Sequence, residues 1–124
     1  MKRIGIISDT HGFWDDKYLH YFESCDEIWH AGDIGTTELA DQFEAMRPVF
    51  RAVCGNCDGW GCDYEDDMLV NIGGVNIFVT HGHRYGVKSG LDTLASAAAA
   101  KGAQVACFGH THKPFCEYRD GVLL

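Results

Sequence analysis

Ile4-Gly5-Ile6-Ile7-Ser8-Asp9-Thr10-His11-Gly12 decides how this chain reads. An apolar run bounded by glycine reads as a buried strand. This one ends abruptly in an aspartate, with a histidine two residues on. Open α/β sheets bind ligands beyond the carboxyl ends of their strands, so Asp9 and His11 fall where a site is built. Four later apolar runs end in the same way. Residues 27–31 run into Gly32-Asp33, and residues 49–54 into Gly55-Asn56-Cys57-Asp58. Residues 77–80 run into His81-Gly82-His83, and residues 105–108 into Gly109-His110-Thr111-His112. Strand after strand delivers Asp, His or Asn to one edge, which points to a metal site.

The rest of the chain supplies alternating helices and a hairpin. Acidic Asp15-Asp16 opens a helix running to about residue 24, since negative charge suits a helix N-terminus. Thr36 or Thr37 caps a second helix carrying Leu39, Ala40, Phe43 and Met46 at helical spacing, and Pro48 stops it. Gly73-Gly74 between two apolar runs reads as a β-hairpin, so the sheet system is mixed. Ser89 with Asp92 reads as a capping box for a helix to Lys101, with Gly102 at its C-terminal glycine position. A last hairpin is expected around Asp120-Gly121, while the acidic run from Asp63 to Asp67 reads as a solvated turn.

A length of 124 residues suits one domain spanning 1–124. No apolar run is long enough to cross a bilayer, so no membrane partner is expected. Met1-Lys2-Arg3 leads straight into the first strand without a secretion signal, and the expected compartment is the cytoplasm. A net charge of −8 makes the chain a poor partner for duplex nucleic acid. The six cysteines are expected to be reduced, with Cys54 a buried strand residue.

Asp9, His11, Asp33, Asn56, His81, His110 and His112 make seven candidate ligands, where tetrahedral zinc takes four. Two ions sharing a carboxylate use this number well. Imidazole, carboxylate and amide oxygen suit Mn²⁺, Zn²⁺, Fe, Ni²⁺ or Co²⁺ better than Ca²⁺ or Mg²⁺. A pair of ions about 3.5–4 Å apart can hold a hydroxide and clamp both oxygens of an in-line displacement, so no protein nucleophile is needed. The chain accordingly has no G-x-S-x-G elbow, no H-E-x-x-H and no phosphate-binding G-x-x-x-x-G-K-[ST] loop.

Asp9-x-His11, Gly32-Asp33, Gly55-Asn56-x-Asp58, His81-Gly82-His83 and Gly109-His110-Thr111-His112 resemble, in order, the five signature blocks of the calcineurin-like metallophosphoesterases. The nearest branch it resembles is the small bacterial and archaeal phosphodiesterases of the YfcE type. That resemblance implies an α/β fold, a four-layer α/β/β/α sandwich of two mixed sheets. It implies a binuclear metal-dependent phosphoesterase, above all a phosphodiesterase, acting on a small-molecule phosphate ester through a metal-bridging hydroxide. The first ion would take Asp9, His11, Asp33 and His112, and the second Asp33, Asn56, His81 and His110, with Asp33 bridging. Two divalent transition-metal ions are implied, manganese first among them.

Two departures from the wider family stand out. Its Gly-Asn-His-Asp block carries a histidine general acid where this chain has Cys57, as the YfcE-type branch resembles. Cys57 and His83 are then the candidate proton donors, with Asp58 in the same catalytic loop. Family members also continue past the position of Leu124, through an Asn-Pro-Gly-Ser stretch near the site. The last sheet is thus expected to be incomplete in a truncated form, or completed by a neighbour in a homo-oligomer. The runner-up reading is a non-catalytic protein-binding scaffold like the eukaryotic retromer subunit of this fold. A third is a structural zinc module on Cys54, Cys57 and Cys62.

Overall fold

The computed structural model describes residues 3–46, 49–56, 58, 64–111, 118–119 and 122–123. Cys57, Cys62 and His112 lie outside them, as does Trp60.

Residues Ile4–Ile7 form β1, Lys17–Phe22 α1, Glu27–His30 β2, Thr37–Glu44 α2 and Val49–Ala52 β3. β1 pairs with β2 and β2 with β3, both parallel, with Ile6 opposite Trp29 and His30 opposite Ala52. Parallel pairing needs crossovers, and α1 and α2 supply them. Asp67–Ile72 (β4), Val75–Thr80 (β5), Val105–Cys107 (β6), Tyr118–Arg119 (β7) and Val122–Leu123 (β8) form a second sheet in the order β4-β5-β6-β8-β7. This sheet is mixed: β4 runs antiparallel to β5, while β6 runs parallel to both β5 and β8. The first sheet is parallel in all its described strands. α3, Asp92–Ala100, connects β5 to β6.

Three apolar clusters give the layer order. Trp29, Ala31, Val53 and Val79 meet between the sheets, with Ile4, Met68, Val70 and Ile77 packed around them. Phe22, Leu39, Ala40 and Phe43 bring α1 and α2 onto the outer face of the first sheet, where Trp14 also packs. Leu94, Ala95 and Ala98 bring α3 onto the second, against Phe78 and Ala106. The alanine-rich face of α3 keeps that layer thin. The result is the α/β/β/α sandwich.

The local signals mostly translate. Thr36 is the N-cap of α2, accepting the Leu39 N–H at 3.1 Å. Gly73 and Gly74 both take positive φ, 57° and 87°, as a two-residue type I′ hairpin requires. α3 ends in a Schellman arrangement, Ala103 N–H bonding Ala98 O and Gly102 N–H bonding Ala99 O. Its start is a correction. Leu91 is the N-cap and has no side-chain cap bond. Ser89 instead closes a turn onto the Gly86 carbonyl, which takes it out of capping position. The acidic run is corrected at one residue too, because Asp67 is part-buried at the start of β4.

Candidate metal centre

Because β1, β2 and β3 are parallel, the residues after them emerge at one edge. β5 and β6 are also parallel to each other, so His81 and His110 emerge together. Each edge is stitched within itself, and a bond from His110 joins the two. The Asp9, His11 and Gly12 N–H groups donate to Gly32, Asp33 and Ile34 carbonyls at 2.9, 3.0 and 2.6 Å. The Gly109 N–H donates to the His81 carbonyl at 3.1 Å. From the second sheet, His110 N–H donates to Asp9 Oδ2 at 3.0 Å. Ser8 holds the same oxygen at 2.8 Å.

His81 is fully buried, and its Nδ1 lies 2.9 Å from the Ala31 carbonyl. A carbonyl only accepts, so Nδ1 donates, and Nε2 is the ring nitrogen turned to the cluster. That Nε2 sits 3.3 Å from Asp33 Oδ2, 3.7 Å from Asp9 Oδ1 and 3.1 Å from His110 Nδ1. His11 Nε2, half-exposed, approaches the same carboxylates at 3.8 Å to Asp33 and 3.9 Å to Asp9. Two donor groups result among the described residues. One is Asp33, His81 and His110, and the other is Asp9, His11 and Asp33; within each, the candidate atoms lie within 4.8 Å of one another. Asp33 belongs to both.

These spacings fit a cation. Ligands about 2.1 Å from one ion, at angles of roughly 90–109°, lie roughly 3.0–3.4 Å apart, which matches His81 with Asp33 and with His110. The Nδ1 bond to Ala31 is the kind of outer contact that fixes a ligating histidine's tautomer. Backbone strain gathers at the same residues. Among the described residues, the non-glycine ones with positive φ are Asp9 (56°), His11 (47°), Asp33 (58°) and His110 (71°). Each such residue costs about 1 kcal/mol, and strain of this kind concentrates at functional sites. Gly32 and Gly55 permit the approach, since a Cβ on Gly32 would strike the His81 ring and one on Gly55 the Asp33 carboxylate.

Other candidate residues are placed differently. Asn56 is exposed in the turn after Gly55. Asp58 is buried, and its carboxylate accepts three backbone N–H groups: Gly55 at 2.9 Å, Gly35 at 3.0 Å and Ile34 at 3.2 Å. It ties the loop after β3 to the loop bearing Asp33. His83 lies beside the cluster, its ring centroid 5.5 Å from that of His81, and its Nδ1 is buried without a hydrogen-bond partner. Burial first, then the neighbouring His81, lowers the pKa of His83 and likewise of His110. Cys54 is disulfide-bonded, which corrects the expectation of a reduced thiol there and removes it as a zinc thiolate.

Sequence reasoning gave Thr10 no role. Its hydroxyl donates to the Ile34 carbonyl at 3.0 Å and lies 2.9 Å from His30 Nε2. Gly32 N–H donates to His30 Nδ1 at 3.1 Å, so His30 is a neutral imidazole with its proton on Nε2. Burial pushes its pKa down to about 4, against opposing pulls from Asp58, Asp9 and Asp33. The unfolded chain therefore takes up this proton first as pH falls. The stability from neutral His30 is complete above pH 6.5 and is lost progressively toward pH 4, on the order of 3 kcal/mol in all. Urea titrations at pH 7, 5.5 and 4.5 should show this loss in the parent and a flatter profile in His30→Gln. Parallel profiles would contradict it.

The calcineurin-like phosphoesterase superfamily domain matches residues 1–124. The chain belongs to the calcineurin-like phosphoesterase superfamily. Among its relatives is "Probable metallophosphoesterase YsnB" of Bacillus subtilis, 37% identical over 122 residues, covering 96% of this chain and 69% of that protein. A Methanocaldococcus jannaschii protein named a phosphodiesterase is 30% identical over 139 residues, covering 98% of this chain and 80% of the relative. The crystal structure of Chaetomium thermophilum Vps29 superposes with a TM-score of 0.86 over 99% of this chain and 69% of that one. At 17% identity that likeness concerns the fold alone. These relatives place the chain in the small bacterial and archaeal branch of the phosphoesterase superfamily. Among the described residues, no helix is long and apolar enough to cross a membrane.

Proposed function

We propose that this chain is a metal-dependent phosphoesterase, a phosphodiesterase working with two divalent transition-metal ions on a small-molecule phosphate ester. The observation that carries the reading is the sharing of Asp33 between the two donor groups. When bound, such ions supply an activated water and compensate the charge that builds on the phosphoryl group. The chain's own residues do the rest. Asp33 joins the two halves of the site, and His81 and His110 complete one group while Asp9 and His11 complete the other. Asn56 and His112 are proposed to fill the remaining ligand positions. Manganese is the first choice of ion, with zinc, iron, nickel and cobalt compatible with the same donors.

Asp58 is proposed to act by holding the Asp33 and Asn56 loops together. His83, with its lowered pKa, is mostly neutral at pH 7. It would therefore serve the leaving group as a hydrogen-bond donor, leaving full proton delivery to Cys57 or to solvent. Activated aryl esters, which need little acid help, should be hydrolysed best.

The test is hydrolysis of a bis-aryl phosphate with Mn²⁺, with and without chelator. Turnover that chelator abolishes and Mn²⁺ restores is expected. A folded, metal-loaded protein with no turnover would contradict the reading and favour the non-catalytic scaffold.

A further inference from the structure

The loop after β5 carries His81, then Gly82, then the 3₁₀ turn His83–Tyr85, then Gly86. A three-residue turn between glycines has little local stiffness, and this one has no side-chain cap. Its position must come from partners elsewhere. Arg84 reaches Asp66 at 2.9 Å, but both side chains are about half exposed, and such pairs contribute little. Tyr85 is the better anchor. Its ring packs edge-on against Phe78, centroids 5.9 Å apart, and its hydroxyl donates to Asp67 Oδ2 at 2.9 Å. The other oxygen, Asp67 Oδ1, accepts the hydroxyl of buried Thr80 at 2.5 Å. Thr80 is the residue immediately before His81. One carboxylate thus grips the chain on both sides of the two histidines. Burial and this bond raise the Tyr85 pKa, so the phenol stays a donor at neutral pH.

We propose that Asp67, through Tyr85 and Thr80, is the positioning residue that sets His83 against the His81–His110 pair. This rests on the phosphoesterase reading only for its effect on turnover. The His83 ring otherwise touches the cluster without a fixing bond: its centroid lies 6.2 Å from that of His110, and its Nδ1 has no hydrogen-bond partner. The grip on Tyr85 is what fixes its place, and with it the hydrogen bond offered to a substrate oxygen.

Tyr85→Phe keeps the ring on Phe78 and removes only the phenol bond. In ¹H–¹³C spectra of the metal-free protein, the His83 ring resonance should shift or broaden while those of His81 and His110 stay. In Mn²⁺-dependent aryl phosphodiester hydrolysis, kcat should fall about tenfold with KM nearly unchanged, less than the roughly 10²-fold that a 1 Å misplacement of reacting groups can cost, because His83 offers only a hydrogen bond. The same substitution in a His83→Ala background should cost nothing further. Asp67→Ala should move the same resonance, and adding Tyr85→Phe to it should change nothing more. An unmoved His83 resonance in Tyr85→Phe overturns the proposal. So does an equal loss of kcat with and without His83. A parent protein with no turnover would end the phosphoesterase reading, while the His83 resonance would still decide the positioning.

Discussion

Asp33→Asn is expected to lower metal-dependent kcat/KM by at least about 10³-fold, the several kcal/mol that metal charge stabilisation supplies. Asparagine is the informative choice. Asp33 takes φ 58°, a conformation asparagine adopts more readily than alanine. Its shape is also nearly that of aspartate, so the loop should persist. What disappears is the second anionic oxygen. Asp33 Oδ2 lies 3.3 Å from His81 Nε2 and 3.8 Å from His11 Nε2, so each donor group loses its common member. Metal content should fall from two ions per chain to one or none, with circular dichroism unchanged. Parent-like activity in Asp33→Asn would show that the two groups act separately and that the bridging role is wrong.

Asp58→Ala should be the most damaging substitution for stability. Three backbone N–H groups lose this acceptor at once, and the two loops they belong to carry candidate ligands. A hydrogen bond to a charged group contributes about 1.5–3 kcal/mol, and a stranded buried donor costs a further share. Water reaching the part-exposed Gly35 and Gly55 offsets some of this. A net loss of about 4 kcal/mol follows, or roughly 15 °C in Tm. Metal affinity should fall with it, because the Gly55 backbone packs against Asp33. Thermal melts with and without Mn²⁺ check both effects. A Tm within about 3 °C of the parent would mean the amides find other partners.

The strands were legible because most are short apolar runs with an abrupt polar end, but β1, expected to be buried, lies at the edge of its sheet with Ile6 exposed. Gly73-Gly74 announced its hairpin because only paired positive φ suits that turn. Parallel pairing then carries Asp9 and Asp33 to one edge without further information. What stayed hidden depends on partners distant in sequence. Asp67 belongs to an acidic run and looks solvated until Thr80 and Tyr85, 13 and 18 residues away, are folded onto it. Thr10 looks like a spacer between two ligands until His30, 20 residues away, is placed beside it. The Ser89 capping signal was genuine local chemistry overruled by a competing turn. Asp58 read as part of the Gly55-Asn56-x-Asp58 block, and nothing in that block announced that its carboxylate accepts the Gly55, Gly35 and Ile34 amides. Asp33's double membership was implied by the family resemblance, while its physical basis, two sheets meeting, is contained in no single stretch.

Anomalous diffraction from crystals grown with Mn²⁺ tests the central claim most directly. Two peaks about 3.5–4 Å apart are expected, with Asp33 bound to both, His81 and His110 on one, and Asp9 and His11 on the other. A single peak, or ions bound away from Asp33, would contradict it.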